Sequence, residues 1–176
     1  MKKLEFIGFH ATSRNSANKI NEDGFIINKT RDNEWLGHGI YFFIYKVDAQ
    51  SWAKRTYYCK PNPVILKCLI EVEKDKYLDL DNPEEKYGYD SYYNEVLQIL
   101  SKNGKSIVFK NRHQAMCWGL NLYKKDKKID LIKYTFANNR TRNIMKYGNN
   151  KYGYKYNEVQ MCVSRDDVII KKELCS

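Results

Sequence analysis

The chain has 176 residues, a formal net charge of +10 and a pI near 9.2, with 43% hydrophobic and 14% aromatic residues. This is the length of one domain able to bury a core, and the composition excludes a disordered tail. No stretch approaches the roughly 20 apolar residues of a membrane span, and no apolar run of signal-peptide length follows the basic start Met1-Lys2-Lys3. The expectation is a cytoplasmic protein with no membrane association. Cys59, Cys68, Cys117, Cys162 and Cys175 are odd in number and form no Cys-x-x-Cys pair. Neither a disulfide framework nor a metal site is therefore expected.

Taken in chain order, Leu4 to His10 predicts a strand. Ser13 to Glu22 predicts a short helix, with Ser13 as its cap and Gly24 where the chain leaves it. Ile40 to Ile44 is aromatic and β-branched, hence strand. Val47 to Tyr58 predicts a helix with Ala49, Trp52 and Ala53 on one face. Val64 to Val72 gives the strongest buried-strand signal, and Tyr77 to Leu80 is expected to continue it after a turn. Helices follow over Glu84 to Lys102, ending at Asn103-Gly104, and over Arg112 to Tyr123. The basic run from Lys124 to Lys128 reads as a solvated turn, and His113 as structural. Strands are expected at Ile129 to Phe136, Glu158 to Val163 and Val168 to Lys171. Helices and strands mix without βαβ alternation, so the fold class is α+β, in one domain over residues 1–176.

Three segments stand out for chemistry. The first is Gly8-Phe9-His10-Ala11-Thr12. The second is Leu36-Gly37-His38-Gly39-Ile40-Tyr41-Phe42-Phe43, with Ala49 and Trp52 just beyond. The third is Tyr156-Asn157-Glu158-Val159-Gln160-Met161-Cys162-Val163. In order and spacing they resemble the poly(ADP-ribose) polymerase branch of the diphtheria-toxin-like ADP-ribosyltransferases, whose signature is a His, a Tyr and a Glu on three strands. His10-Ala11-Thr12 is similar to that family's His-Gly-Ser/Thr, and Gly37 to Phe42 matches Gly-x-Gly-Ile-Tyr-Phe at every fixed position. Ala11 departs from the usual Gly.

The resemblance implies a split two-sheet antiparallel core with flanking helices, and NAD as co-substrate without a metal. It implies that His10 bonds the adenosine ribose, that the Ala11 backbone holds the nicotinamide amide, and that Thr12 and Gly39 belong to the same dinucleotide site. Tyr41 would stack on the nicotinamide and Trp52 on its other face. Aromatic faces attract such a planar cation by about 1 kcal/mol. A carboxylate from the third segment would stabilise an oxocarbenium-like transition state. Aligned from its left side that segment makes Glu158 catalytic; aligned from its right, through Arg165 to Val168, Gln160 takes the position. Two residues apart in a strand, both face the same way. A carboxylate stabilises a developing cation better than an amide, which favours Glu158; Gln160 in its place would favour transfer of single units.

Ala137 to Asn157 reads as a long loop carrying Arg140, Arg142, Lys146, Lys151 and Lys155, interleaved with Tyr147, Tyr152, Tyr154 and Tyr156. Cations and aromatics together suit a single-stranded nucleic-acid groove. Arg140, Arg142, Lys146, Lys151, Tyr152 and Lys155 are thus candidate acceptor contacts, with RNA or DNA favoured over protein. The expected activity is mono-ADP-ribosylation by a toxin, effector or defence enzyme. A neutralising partner would suit such an enzyme, though no residue marks one. An NAD glycohydrolase, or a non-catalytic NAD or nucleic-acid-binding module, remains the alternative. The related RNA 2′-phosphotransferases carry more basic residues at the motif positions than this chain does.

Overall fold

A computed structural model describes residues 2–27, 34–147 and 150–175, with the side chains of 138–156 outside that description. Strand β1 (Lys3–Ser13) runs directly into helix α1 (Arg14–Asp23), where the Ser13 side chain caps the Ser16 amide and Gly24 ends the helix at φ +84°. Then come β2 (Ile40–Phe43), α2 (Lys46–Arg55), β3 (Pro63–Glu73) and β4 (Tyr77–Asp79). Helix α3 (Pro83–Lys102) starts with Asn82 as cap and Pro83 in its first turn, a position where the missing proline N–H costs nothing. Helix α4 (Arg112–Lys127) is capped by Asn111. Strands β5 (Leu131–Tyr147), β6 (Asn150–Val163) and β7 (Ile169–Leu174) complete the α+β chain.

Four expectations need correction. The predicted loop from Ala137 to Asn157 is extended backbone: β5 and β6 stay paired from Leu131↔Val163 out to Tyr147↔Asn150, with bulges near Asn138 and Arg142. Pairing satisfies a backbone whatever the polarity of its side chains, so a projecting ribbon need not show the apolar alternation that marks a sheet strand. The run from Lys124 to Lys128 is also not a turn. It is the last turn of α4, closed by Lys128 in the left-handed conformation, and Lys124 is buried. The second helix ends at Arg55, and Tyr57–Cys59 form a separate 3-10 turn.

The sheet order is β4-β5-β6-β2-β1-β3-β7, antiparallel except for the β4–β5 pair. Strand β4 therefore does not extend β3, as the sequence suggested, but lies five places away across the sheet. In a flat sheet that is about 24 Å. Only the 3-10 turn Lys74–Lys76 joins the two strands, and four residue steps span at most about 14 Å. The sheet must therefore fold over.

The crease lies between β1 and β2, which share the single register pair Phe9↔Phe43, whereas β1 and β3 pair along their whole length. Inside the fold lies one apolar cluster fed from both halves: Phe42, Leu131, Met161 and Val163 from one, Leu66, Cys68, Ile70, Val72 and Ile169 from the other. Helices α2, α3 and α4 cover the outer faces, while Ala17 of α1 packs into the inner cluster. Leu120 and Tyr89 of α4 and α3 pack on Leu78, Ile132 and Cys162, and Ala49 and Ala53 of α2 pack on Ala11, Phe43 and Ile65. Among the described residues no helix is long and apolar enough to cross a membrane.

Phe42 sits fully buried at the crease, so close to β1 that a Cβ on Gly8 would lie 2.8 Å from its own Cβ. Phe42→Ala is expected to lower the unfolding free energy in urea by about 3–5 kcal/mol, as for large cavities in rigid cores. A loss below about 1 kcal/mol would mean that the halves do not close on this ring.

Candidate active site

The segment before β2 is a tight turn held from several sides. Gly37 has φ +79°, a conformation that favours glycine, and a Cβ there would lie 2.6 Å from Asn121 Oδ1. Gly39 lacks room for a different reason: its Cβ would meet Cys162 Sγ and the Val163 carbonyl, both at 2.5 Å. The His38 amide donates to Asn121 Oδ1 at 2.7 Å. The Lys124 ammonium, on a residue only 7% exposed, donates to the carbonyls of His38 at 2.5 Å and Leu36 at 3.3 Å. The Tyr41 hydroxyl closes the ring of contacts, accepting from the Leu36 amide and donating to the Gly37 carbonyl, both at 2.8 Å. Burial pushes the Tyr41 phenol far above its ordinary pKa, so it stays a donor.

His10 lies across the crease from Tyr41. Its Nδ1 is 2.9 Å from the Tyr41 carbonyl oxygen. A carbonyl only accepts, so Nδ1 carries the proton and Nε2 of the neutral ring is an acceptor. The imidazole packs edge-on against Phe25, centroids 5.0 Å apart, and near Phe42 at 5.7 Å. It thus occupies the inner face, whereas the ring of Tyr41, adjacent to Phe42 in β2, is on the outer one. Backbone, not ring contact, joins the two residues.

Register places Tyr41 opposite Cys162 and Phe43 opposite Gln160. Tyr41, Phe43, Gln160 and Glu158 therefore share the outer face. Glu158 is 9% exposed, and Gln160 Nε2 donates to its Oε1 at 2.6 Å. The two readings of the third segment thus converge on one unit: a carboxylate held by an amide. Trp52 of α2 reaches the same face, its ring 6.4 Å from that of Phe43. Ala11 and Thr12 are buried, with Ala11 facing the Phe43 and Ala49 cluster. Among the described residues no three His, Cys, Asp or Glu side chains gather as a metal site would require.

The candidate acceptor contacts Arg140, Arg142, Lys146, Lys151, Tyr152 and Lys155 lie outside the described side chains. Their backbone positions pair within the β5–β6 ribbon, as in Arg142↔Tyr154 and Lys146↔Lys151, except Arg140, which falls in the register shift between Asn138 and Thr141. The sequence reading passed over several groups beside the site. Tyr134 and Phe136 stand opposite Gln160 and Glu158 in register, and their spacing of two was the available signal. Trp35 packs on Phe136 and on His113. No pattern in the sequence announces Lys124 as a ligand of backbone carbonyls.

No protein-family model matches the chain. An uncharacterized protein of Methanocaldococcus jannaschii is similar to it, 29% identical over 182 residues that span 94% of this chain and 85% of that one. The likeness carries no activity with it.

Two outcomes follow from this geometry. Lys124→Met leaves two inward carbonyls without a donor and is expected to cost about 2 kcal/mol in urea unfolding; an unchanged midpoint would show that the ammonium does not hold the turn. Burial lowers the pKa of His10 from 6.5, partly offset by its bond to the Tyr41 carbonyl. Between the lowered folded pKa and 6.5 the unfolded chain carries a proton that the fold does not. Stability is therefore lost as pH falls below 6.5 and through the folded pKa. His10→Asn should flatten this part of the stability–pH curve, measured by urea midpoints from pH 7.5 to 5; an identical slope in both proteins would contradict the buried neutral ring.

Proposed function

We propose that the chain is an NAD-dependent mono-ADP-ribosyltransferase with a split-sheet core of the ADP-ribosyltransferase kind, acting on a macromolecular acceptor. The observation that carries the reading is the adjacency of β6, β2 and β1, which bear Glu158, Tyr41 and His10. The strands of residues far apart in the chain and singled out by resemblance are thus neighbours at one crease, with the His10 ring on the inner face and Tyr41 and Glu158 on the outer one. The fold-over at the single β1–β2 pair also supports a two-halved core.

In this reading NAD is the substrate. Neutral His10 orients β2 from the inner face through its bond to the Tyr41 carbonyl, and the Ala11 backbone takes the nicotinamide amide. Tyr41 and Trp52 flank the ring, with Thr12 and Gly39 close to the dinucleotide. The bond between ribose C1′ and the nicotinamide nitrogen breaks, its electron pair leaving with the now neutral nicotinamide. Positive charge grows on the ribose as this happens. The Glu158 carboxylate, oriented by Gln160, stabilises that charge because it is fixed beforehand in a site poor in water. An acceptor nucleophile then bonds to C1′ and loses its proton to solvent. Water in that role would make the protein an NAD glycohydrolase. The Tyr41 hydroxyl meanwhile holds the turn before β2.

The test is transfer of label from adenylate-labelled NAD to a cell lysate, with nicotinamide release read in parallel. Glu158→Ala is expected to cut release by about 100-fold or more, the scale of losing a preorganised charge. Gln160→Ala should cut it less, by loosening the carboxylate. Equal activity in the wild type and Glu158→Ala would remove Glu158 from the reaction. Binding of NAD without any release would leave a binding module and overturn the transferase reading.

A further inference from the structure

Beside the Glu158–Gln160 pair stands an aromatic wall that the proposed reaction does not use. Three separate elements build it. Trp35 comes from the turn before β2, His113 from the first turn of α4, and Phe136 with Tyr134 from β5. The rings of Trp35 and His113 are 3.5 Å apart between centroids, those of Trp35 and Phe136 5.3 Å, and those of Tyr134 and Phe136 4.9 Å. Phe136 is the direct cross-strand neighbour of Glu158, and Tyr134 that of Gln160. Directly paired side chains lie about 5 Å apart at their Cβ atoms. Trp35 nevertheless remains 39% exposed at this edge. A large ring half open to water, next to a carboxylate that is not, marks a surface waiting for a flat partner.

The strands that bring Phe136 and Glu158 together continue outward as the paired ribbon. From Ala137 to Asn157 its sequence holds five Lys or Arg residues and no Asp or Glu. Charge of that sign beside a stacking surface selects an anionic polymer with exposed π faces. A double helix keeps its bases stacked on each other, so the strand must be single.

We propose that Trp35, backed by His113 and Phe136, is the acceptor subsite, where a base of a single-stranded nucleic acid stacks next to Glu158. The assignment of this surface to the acceptor rests on the transferase reading above. The base lies against the Trp35 face, and the positive charge of the chain attracts the phosphates. Stacking sets which nucleotide reaches C1′, and charge supplies affinity without regard to sequence.

The experiment titrates a fluorescein-labelled, mixed-sequence single-stranded DNA 12-mer with the full chain, without NAD, at 50 and 200 mM salt. Trp35→Ala is expected to weaken binding about tenfold, the scale of one lost base–aromatic stack. The salt dependence should stay unchanged, because no phosphate contact is removed. Trp35→Phe should recover most of the loss, which separates stacking from a general disturbance of the fold. Equal affinity in the wild type and Trp35→Ala, no binding by the wild type, or equally tight binding of a blunt duplex would each overturn the proposal. Nicotinamide release from NAD is read separately on the same wild-type preparation. Release without oligonucleotide binding overturns the acceptor subsite and leaves the transferase standing. Binding through Trp35 without release upholds the stacking surface and removes the transferase.

Discussion

The buried ammonium of Lys124 is the contact on which the arrangement around the crease depends. The turn from Leu36 to Gly39 points its carbonyls inward, and an inward carbonyl without a donor costs about 1–3 kcal/mol. A lysine at the end of α4 reaches the Leu36 and His38 carbonyls, and Asn121, almost one helical turn earlier, takes the His38 amide. One helix face thus fixes the turn, and the turn fixes its neighbours. Trp35 is set just before it, Tyr41 just after, and the close approach of Gly39 to β6 sets the register that puts Gln160 opposite Phe43. The sequence pattern Gly37-x-Gly39 accordingly has a packing explanation independent of any ligand.

Folding the sheet over has a second consequence. Where β1 and β2 part after a single pair, the backbone groups beyond it need other partners. The His10 side chain supplies one of them by bonding the Tyr41 carbonyl. A histidine suits this position because it satisfies the carbonyl with one nitrogen and keeps a second polar atom. Phe25 and Phe42 keep the ring neutral by excluding water around it. The same opening that demands a bridging side chain exposes strand ends from two halves of the sheet, the setting in which ligand sites commonly arise.

Much of this was legible from the chain. Val64 to Val72 carries enough β-branched and apolar residues to announce a central strand, and Ser13, Gly24 and the Asn103-Gly104 pair mark helix ends through local hydrogen bonding alone. What local rules missed depends on partners distant in sequence. Tyr77 to Asp79 is a strand in either reading, but only the closure of the whole sheet sends it to the far edge beside β5. Lys124 sits in a run of charges that pattern rules assign to solvent, and the carbonyls it serves lie nearly 90 residues upstream. The ribbon from Ala137 to Asn157 defeats periodicity, since its sequence has no apolar alternation and only its backbone pairing makes it a strand pair. Alternation puts Glu158 and Gln160 on one face, as their spacing of two predicts, and there Gln160 donates to the Glu158 carboxylate.

The three signature residues do not argue equally for chemistry. The Tyr41 hydroxyl is engaged by two backbone groups, and one nitrogen of His10 by a third, so a purely structural requirement accounts for part of each. Glu158 differs. It is nearly buried beside Phe136, where an apolar residue would pack without desolvation cost, and its oxygen is met by a side-chain amide whose own position is two residues along the same strand. A fold gains little from such a pair, because the unit bridges no separate elements. In the transferase reading proposed above, a carboxylate oriented by a neighbour is a group placed for what it does to a bound molecule. The glycine motif, explained by packing alone, therefore adds less to the enzymatic reading than the strand adjacency that brings this carboxylate to the crease.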